Sequence, residues 1–196
     1  DLKLSRGLGD VYKRQVMNDQ RQVIFSQRLK ILKVDDIDEI LNNFFDEIFT
    51  NIQSTLNDYK KSNDEKYLTE IKNITGNSLS ENELTNLASK SVIDFTKEMK
   101  TLFLNKKEER IKILGKNENK LLEKKIFLQI IDFSWRSHLQ YLEQLRQVIG
   151  LRQYGQKDPL SEFKKEAFVL FESLLIKIKN DVIKLLLNLN IVVSDN

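Results

Sequence analysis

The sequence contains no cysteine. That one absence excludes disulfides, thiolate zinc centres, iron–sulfur clusters and cysteine nucleophiles. There is a single histidine, His138. Metal sites generally need two or more nitrogen or sulfur ligands, and no nucleophile-elbow glycines accompany a Ser-His-Asp arrangement around it. A lone histidine at helical spacing reads instead as a polar edge of the packing. One proline and six glycines in 196 residues are too few for a sandwich or barrel, whose turns recur roughly every 8 to 12 positions. No run of eighteen apolar residues is present to cross a bilayer. No Walker A glycine loop is present either, so no nucleotide site of that kind is expected in this piece. The 32 basic and 29 acidic residues leave a net charge of only +3, without the one-sided excess of a dedicated nucleic-acid binder.

What remains is a chain with 40% hydrophobic and 31% charged residues, patterned for long helices. The expected class is all-α. Residues 1–15 hold two of the six glycines and no sustained apolar period, and are expected to be a frayed or foreign leader. From residue 16, Val23, Leu29, Leu32, Ile37, Leu41, Phe44, Ile48, Ile52 and Leu56 recur mostly three to five positions apart, which predicts one long helix over 16–56, about 60 Å long at 1.5 Å per residue. Residues 57–119 are more polar, with short apolar clusters. Ser62 with Glu65 and Ser80 with Glu83 have capping-box spacing, Gly76 and Gly115 read as stops, and the charge run from Lys106 to Arg110 reads as a solvated helix face. This is expected to be a small helical bundle inserted between longer helices.

Residues 120–190 carry two apolar stripes around a polar break at 150–158, which predicts an antiparallel helical hairpin. Leu128, Ile131, Trp135, Leu139, Leu142, Leu145 and Ile149 mark the first arm, and Leu160, Phe163, Ala167, Phe171, Leu174, Ile178, Val182, Leu185 and Leu189 the second. Trp135 lies on the packed stripe. Asp158 is the expected N-cap of the second arm and Pro159 its first helical residue. Residues 191–196 form a tail. The break holds Gly150 and Gly155 for a tight reversal, with Arg152, Gln153, Tyr154 and Lys157 between and beside them. Tyr154 either packs on Leu151 or touches a passing partner, since tyrosine offers contact area at low entropic cost. A polypeptide or a nucleic-acid backbone would suit such a surface.

Two stretches, VMNDQRQVIFSQR over 16–28 and SWRSHLQYLEQLRQVIGLRQYGQKDPLSEFKKEAF over 134–168, resemble the C-terminal helical region of the SecA family, the motor ATPase of bacterial preprotein export. The resemblance covers nearly all of 16–190. It implies that 16–56 is the long scaffold helix, 57–119 the helical wing, and 120–190 the returning scaffold with the two-helix finger. It also implies that Arg152, Gln153, Tyr154 and Lys157 form a finger tip contacting the preprotein and the SecYEG channel, and that Asn18 and Arg21 face the nucleotide-binding motor folds. On that reading this piece is a non-catalytic part of an ATP-driven translocase and holds no cofactor. ATP and magnesium would belong to the motor, and the family's cysteine-rich zinc tail is absent. It would work in the bacterial cytoplasm and peripherally at the inner membrane, with no nucleic-acid partner. A free-standing helical adaptor and a nucleic-acid-binding helical module are the alternative readings.

Overall fold

The computed structural model describes residues 2–151 and 158–192, and for residues 2–10 and 150 the backbone alone. The described residues form seven helices and no strand: α1 Leu2–Lys33, α2 Asp38–Ser62, α3 Glu65–Thr75, α4 Glu81–Ser89, α5 Val92–Leu114, α6 Lys116–Leu151 and α7 Pro159–Asn188. They divide into two compact units. One combines α1 with residues 128–178, and the other combines residues 36–127 with the end of α7.

The expected single helix over 16–56 is two helices, interrupted at residues 34–37. The Asp36 carboxylate accepts the backbone N–H of Asp38 at 2.9 Å, a local bond that competes with the helical ladder. Lys120 also pairs with Asp36 at 2.9 Å, and Ile37 is 2% exposed. The expected fraying does not hold for the backbone of residues 2–15, because α1 already begins at Leu2. Its first side chains with described surroundings engage α7: the Lys164 ammonium lies 3.9 Å from the Tyr12 ring centroid, and that of Lys13 lies 5.9 Å from the Phe163 centroid.

In the unit containing α1, the buried face of that helix is set by Gln20, Ile24 and Ile31, whereas Val23, Leu29 and Leu32 of the expected stripe are exposed. Polar contacts fix this rotation. Gln20 reaches α7, and Arg28 makes a two-pronged pair with Asp132 of α6 at 2.9 and 3.0 Å. Arms α6 and α7 run antiparallel: Ile149 packs with Phe163, and further down the arms the His138 and Phe171 rings lie 5.8 Å apart. Leu142, Leu145 and Ala167 complete the cluster near the hairpin end.

The second unit is built around phenylalanines. Phe45 stacks on Phe49 with centroids 4.2 Å apart, Phe103 lies 5.2 Å from Phe45, and Phe95 lies 6.2 Å from Phe49. All four are buried, and such ring pairs contribute beyond their buried area. On α7, Val182 of the expected stripe is fully buried together with Ile183, Leu186 and Leu187, while Leu185 of that stripe is 40% exposed.

Helix ends follow local chemistry. The Ser80–Glu83 capping box forms in both directions. The Ser62–Glu65 box does not, because Ser62 is the last residue of α2, Asn63 adopts the left-handed conformation as its cap, and Asp64 caps α3 by accepting from the Lys66 N–H. Ser91 caps α5 through the Asp94 N–H. Gly115 and Gly76 end α5 and α3 with φ of 85° and 63°.

Gly76 has a second constraint. A Cβ there would stand 2.5 Å from Asn188 Nδ2, which donates to the carbonyls of Thr75 and Lys184 at 2.9 and 2.6 Å. Gly76→Ala is therefore expected to cost roughly 2 to 3 kcal/mol in urea denaturation followed by circular dichroism. Gly115→Ala, where a Cβ meets nothing within 4 Å, should cost only the backbone part, about 1 kcal/mol. Equal losses at the two sites would refute the role of Asn188.

Candidate functional site

Two surfaces and one buried cluster hold the residues singled out in the sequence. The first surface is on α1. With Gln20, Ile24 and Ile31 turned inward, Asn18 and Arg21 are exposed. They head a row that continues through Phe25, Leu29 and Leu32, spaced by four, four and three, so all five share one side of the helix. Phe25 is 59% exposed and Leu32 50%. A row of exposed apolar groups beside an arginine suits a protein partner. Phe25 was not singled out in the sequence. The inward spacing of half-buried Met17, buried Gln20 and Ile24, half-buried Arg28 and buried Ile31 would have exposed this row, but Gln20 and Arg28 are polar and do not register as a core stripe.

The second surface is the hairpin end. Helix α6 continues through Leu151, so Gly150 lies in its last turn and not, as expected, in the reversal. Buried Ile149, packed with Phe163, holds that turn against α7. On the other arm the Asp158 carboxylate accepts the N–H groups of Leu160 and Ser161 at 3.3 Å and the Ser161 hydroxyl at 2.7 Å. The Ser161 bond, then that of Leu160, holds the carboxyl below its ordinary range. Pro159 follows as the first helical residue, where its missing N–H costs nothing. Arg152, Gln153, Tyr154, Gly155 and Lys157 lie outside the described residues. Beside them, Leu151 is 77% exposed and Val148 44%.

The buried cluster joins three helices. Gln20 of α1 donates its amide to the Ala167 carbonyl of α7 at 3.1 Å, and its Oε1 lies 2.7 Å from Nε2 of His138 on α6. The amide donation leaves Oε1 as the acceptor, so Nε2 carries the proton. His138 is 3% exposed, and burial pushes its pKa down to about 4. It is neutral at physiological pH and bonded within the fold. The Trp135 ring, half-buried on the same helix, has its centroid 5.4 Å from that of His138. Both residues therefore belong to the hairpin packing.

Among the described residues, no cluster of histidine, aspartate and glutamate has the arrangement to hold a metal ion, and no described helix is long and apolar enough to cross a membrane. What the arrangement offers is contact surface, at the row on α1 and at the hairpin end.

The family described as SecA wing and scaffold domain matches residues 13–190. The chain is 46% identical over 179 residues to the protein translocase subunit SecA of Pelagibacter ubique, a match covering 90% of this chain and 21% of that protein. It is 34% identical over 188 residues to the subunit of the same name from Caulobacter vibrioides, covering 92% and 20%. With the subunit from Orientia tsutsugamushi it is 36% identical over 169 residues, covering 84% and 19%. The chain thus spans about one fifth of the length of these relatives. Matched over most of its length and helical in all its described elements, the chain belongs to the SecA wing and scaffold domain family.

Proposed function

We propose that this chain is the scaffold and substrate-contact part of an ATP-driven preprotein translocase, and that it couples a nucleotide-binding motor to polypeptide movement through the SecYEG channel. The observation that carries the reading is the packed end of the α6–α7 hairpin, where buried Ile149 and Phe163 bring the two helices together on either side of residues 152–157. A rigid pair of helix ends is a suitable mount for a contact tip. In this reading Tyr154 touches the moving chain, with Arg152, Gln153 and Lys157 beside it. The row from Asn18 and Arg21 to Leu32 faces the motor folds. Residues 57–119 are the wing, between the scaffold at 16–56 and the returning scaffold and finger at 120–190. The chain itself performs no catalysis and binds no cofactor; ATP and magnesium act in the motor. The work takes place in the bacterial cytoplasm and at the cytoplasmic face of the inner membrane, through peripheral contact with the channel.

The test uses a full-length translocase subunit carrying this sequence as its wing and scaffold region. A photoreactive benzoylphenylalanine at position 154 is expected to form an adduct with a preprotein stalled in transit. The same group at position 25 should capture the subunit's own motor folds. A transport-active protein that yields no preprotein adduct from position 154 would sink the tip assignment. Loss of the adduct at position 25 alone would remove only the motor-facing role of α1.

A further inference from the structure

Helices α6 and α7 border an open cavity of about 340 Å³ within the unit that contains α1. Its walls are mostly apolar, from Leu170 and Leu174 on α7 and from Phe133 and Tyr141 on α6. The two aromatic residues are 64% and 60% exposed. Ser134 and His138 also line it, one helical turn apart on α6. Ser134 is 5% exposed, and its hydroxyl has no hydrogen-bond partner. His138 is 3% exposed and commits Nε2 to Gln20, which leaves Nδ1 as an acceptor with no described hydrogen bond. Buried polar atoms are nearly always paired, and an unpaired one costs about 1 to 3 kcal/mol. The Ser134 hydroxyl is such an atom, and it borders the cavity beside the acceptor Nδ1 of His138.

We infer that this cavity is a binding site for a small aromatic molecule that carries one N–H or O–H donor, of the indole or phenol class. The ring would lie between Phe133 and Tyr141, where aromatic edges and faces attract a further ring. Its donor would satisfy His138 Nδ1, and in a phenol the same oxygen would accept from the Ser134 hydroxyl, once that group turns toward it. The depressed pKa of His138 keeps the Nδ1 lone pair free near neutral pH. Size sets the occupant. A volume of this order is at the small end of small-molecule sites, which run from about 300 to 1,000 Å³, and it cannot hold an amphipathic helix.

The 196-residue chain is titrated with indole and, separately, with benzothiophene, which matches indole in shape but has no N–H. Binding is read from the ¹⁵N resonances of the single histidine. Indole should bind with a dissociation constant on the order of a millimolar, as befits nine heavy atoms, and should shift Nδ1 more than Nε2. Benzothiophene should bind about five-fold more weakly, the fold-change of one net hydrogen bond. Ser173→Phe, at an exposed position lining the cavity, should abolish indole binding while circular dichroism remains unchanged. Equal affinity for the two ligands, an unmoved histidine resonance, or indole binding that survives Ser173→Phe would each overturn the inference.

Discussion

Replacing Arg110 with methionine is expected to destabilise the chain by roughly 3 to 5 kcal/mol, the cost of breaking a buried ion pair by removing one partner. Arg110 is 2% exposed and Glu123 1%. The guanidinium donates to Glu123 Oε1 at 3.0 Å, to Asn119 Oδ1 at 3.2 Å and to the Leu186 carbonyl at 3.1 Å. It thereby ties α5 to the start of α6 and the end of α7. Asn119 donates to the same Glu123 oxygen at 3.1 Å. The other Glu123 oxygen has no hydrogen-bond partner, and the ammonium of Lys107, itself paired with Asp38, stands 3.9 Å from it. Removing the guanidinium leaves a carboxylate inside the fold with little compensation. The double variant Arg110→Met, Glu123→Met should recover most of the loss, because apolar side chains of similar volume commonly replace buried pairs without penalty. Urea denaturation followed by circular dichroism measures both. A single variant that costs under about 1 kcal/mol would contradict the geometry.

The second large effect is a loss of stability on mild acidification, centred on His138. Its folded pKa is depressed from 6.5 to about 4 by burial. The unfolded chain therefore binds a proton at pH values where the folded chain does not. Stability falls as pH drops from about 6.5 to about 4, and is unaffected by this group above that window. Linkage gives a loss of about 2 kcal/mol between pH 7 and pH 5, approaching about 3 kcal/mol below pH 4. Asp36, held down to about 2 chiefly by the hydrogen bond from Lys120, contributes stability that is lost only at lower pH. The two groups therefore separate on the pH axis. Trp135, the only tryptophan, lies beside His138, so its fluorescence reports unfolding of this unit. His138→Gln should flatten the dependence between pH 7 and pH 5. A wild-type midpoint that does not move over that range would show that the imidazole is not buried neutral.

These two groups also show where sequence reading stops. Arg110 belongs to a charge run that reads as a solvated face, and His138 reads as a packing edge. The reading at His138 survives, whereas that at Arg110 fails. Nothing within several residues of Arg110 announces that it is buried, because its acceptors at 119, 123 and 186 arrive from other helices. The same holds for α1, where the apolar residues Val23, Leu29 and Leu32 suggest one inward face and Gln20 with Arg28 impose another. The row holding Asn18, Arg21 and Phe25 becomes visible only after that rotation is known. At the hairpin end, Asp158 and Pro159 were legible because a cap and a first-turn proline act on neighbours two and three residues away.

The sequence by itself determined the helical class, the stops at Gly76 and Gly115, the capping box at Ser80 and the start of α7. Each rests on proline and glycine usage or on bonds between residues a few positions apart. Tertiary structure alone decided that the helix expected over 16–56 breaks at 34–37, that Arg110 is buried, and which side of α1 meets solvent. The physical reason is that a helix can form on local hydrogen bonds, but its rotation is settled by partners more than a hundred residues away, such as Ala167 for Gln20 and Asp132 for Arg28, and the break at 34–37 joins a local bond at Asp36 to the distant pair with Lys120.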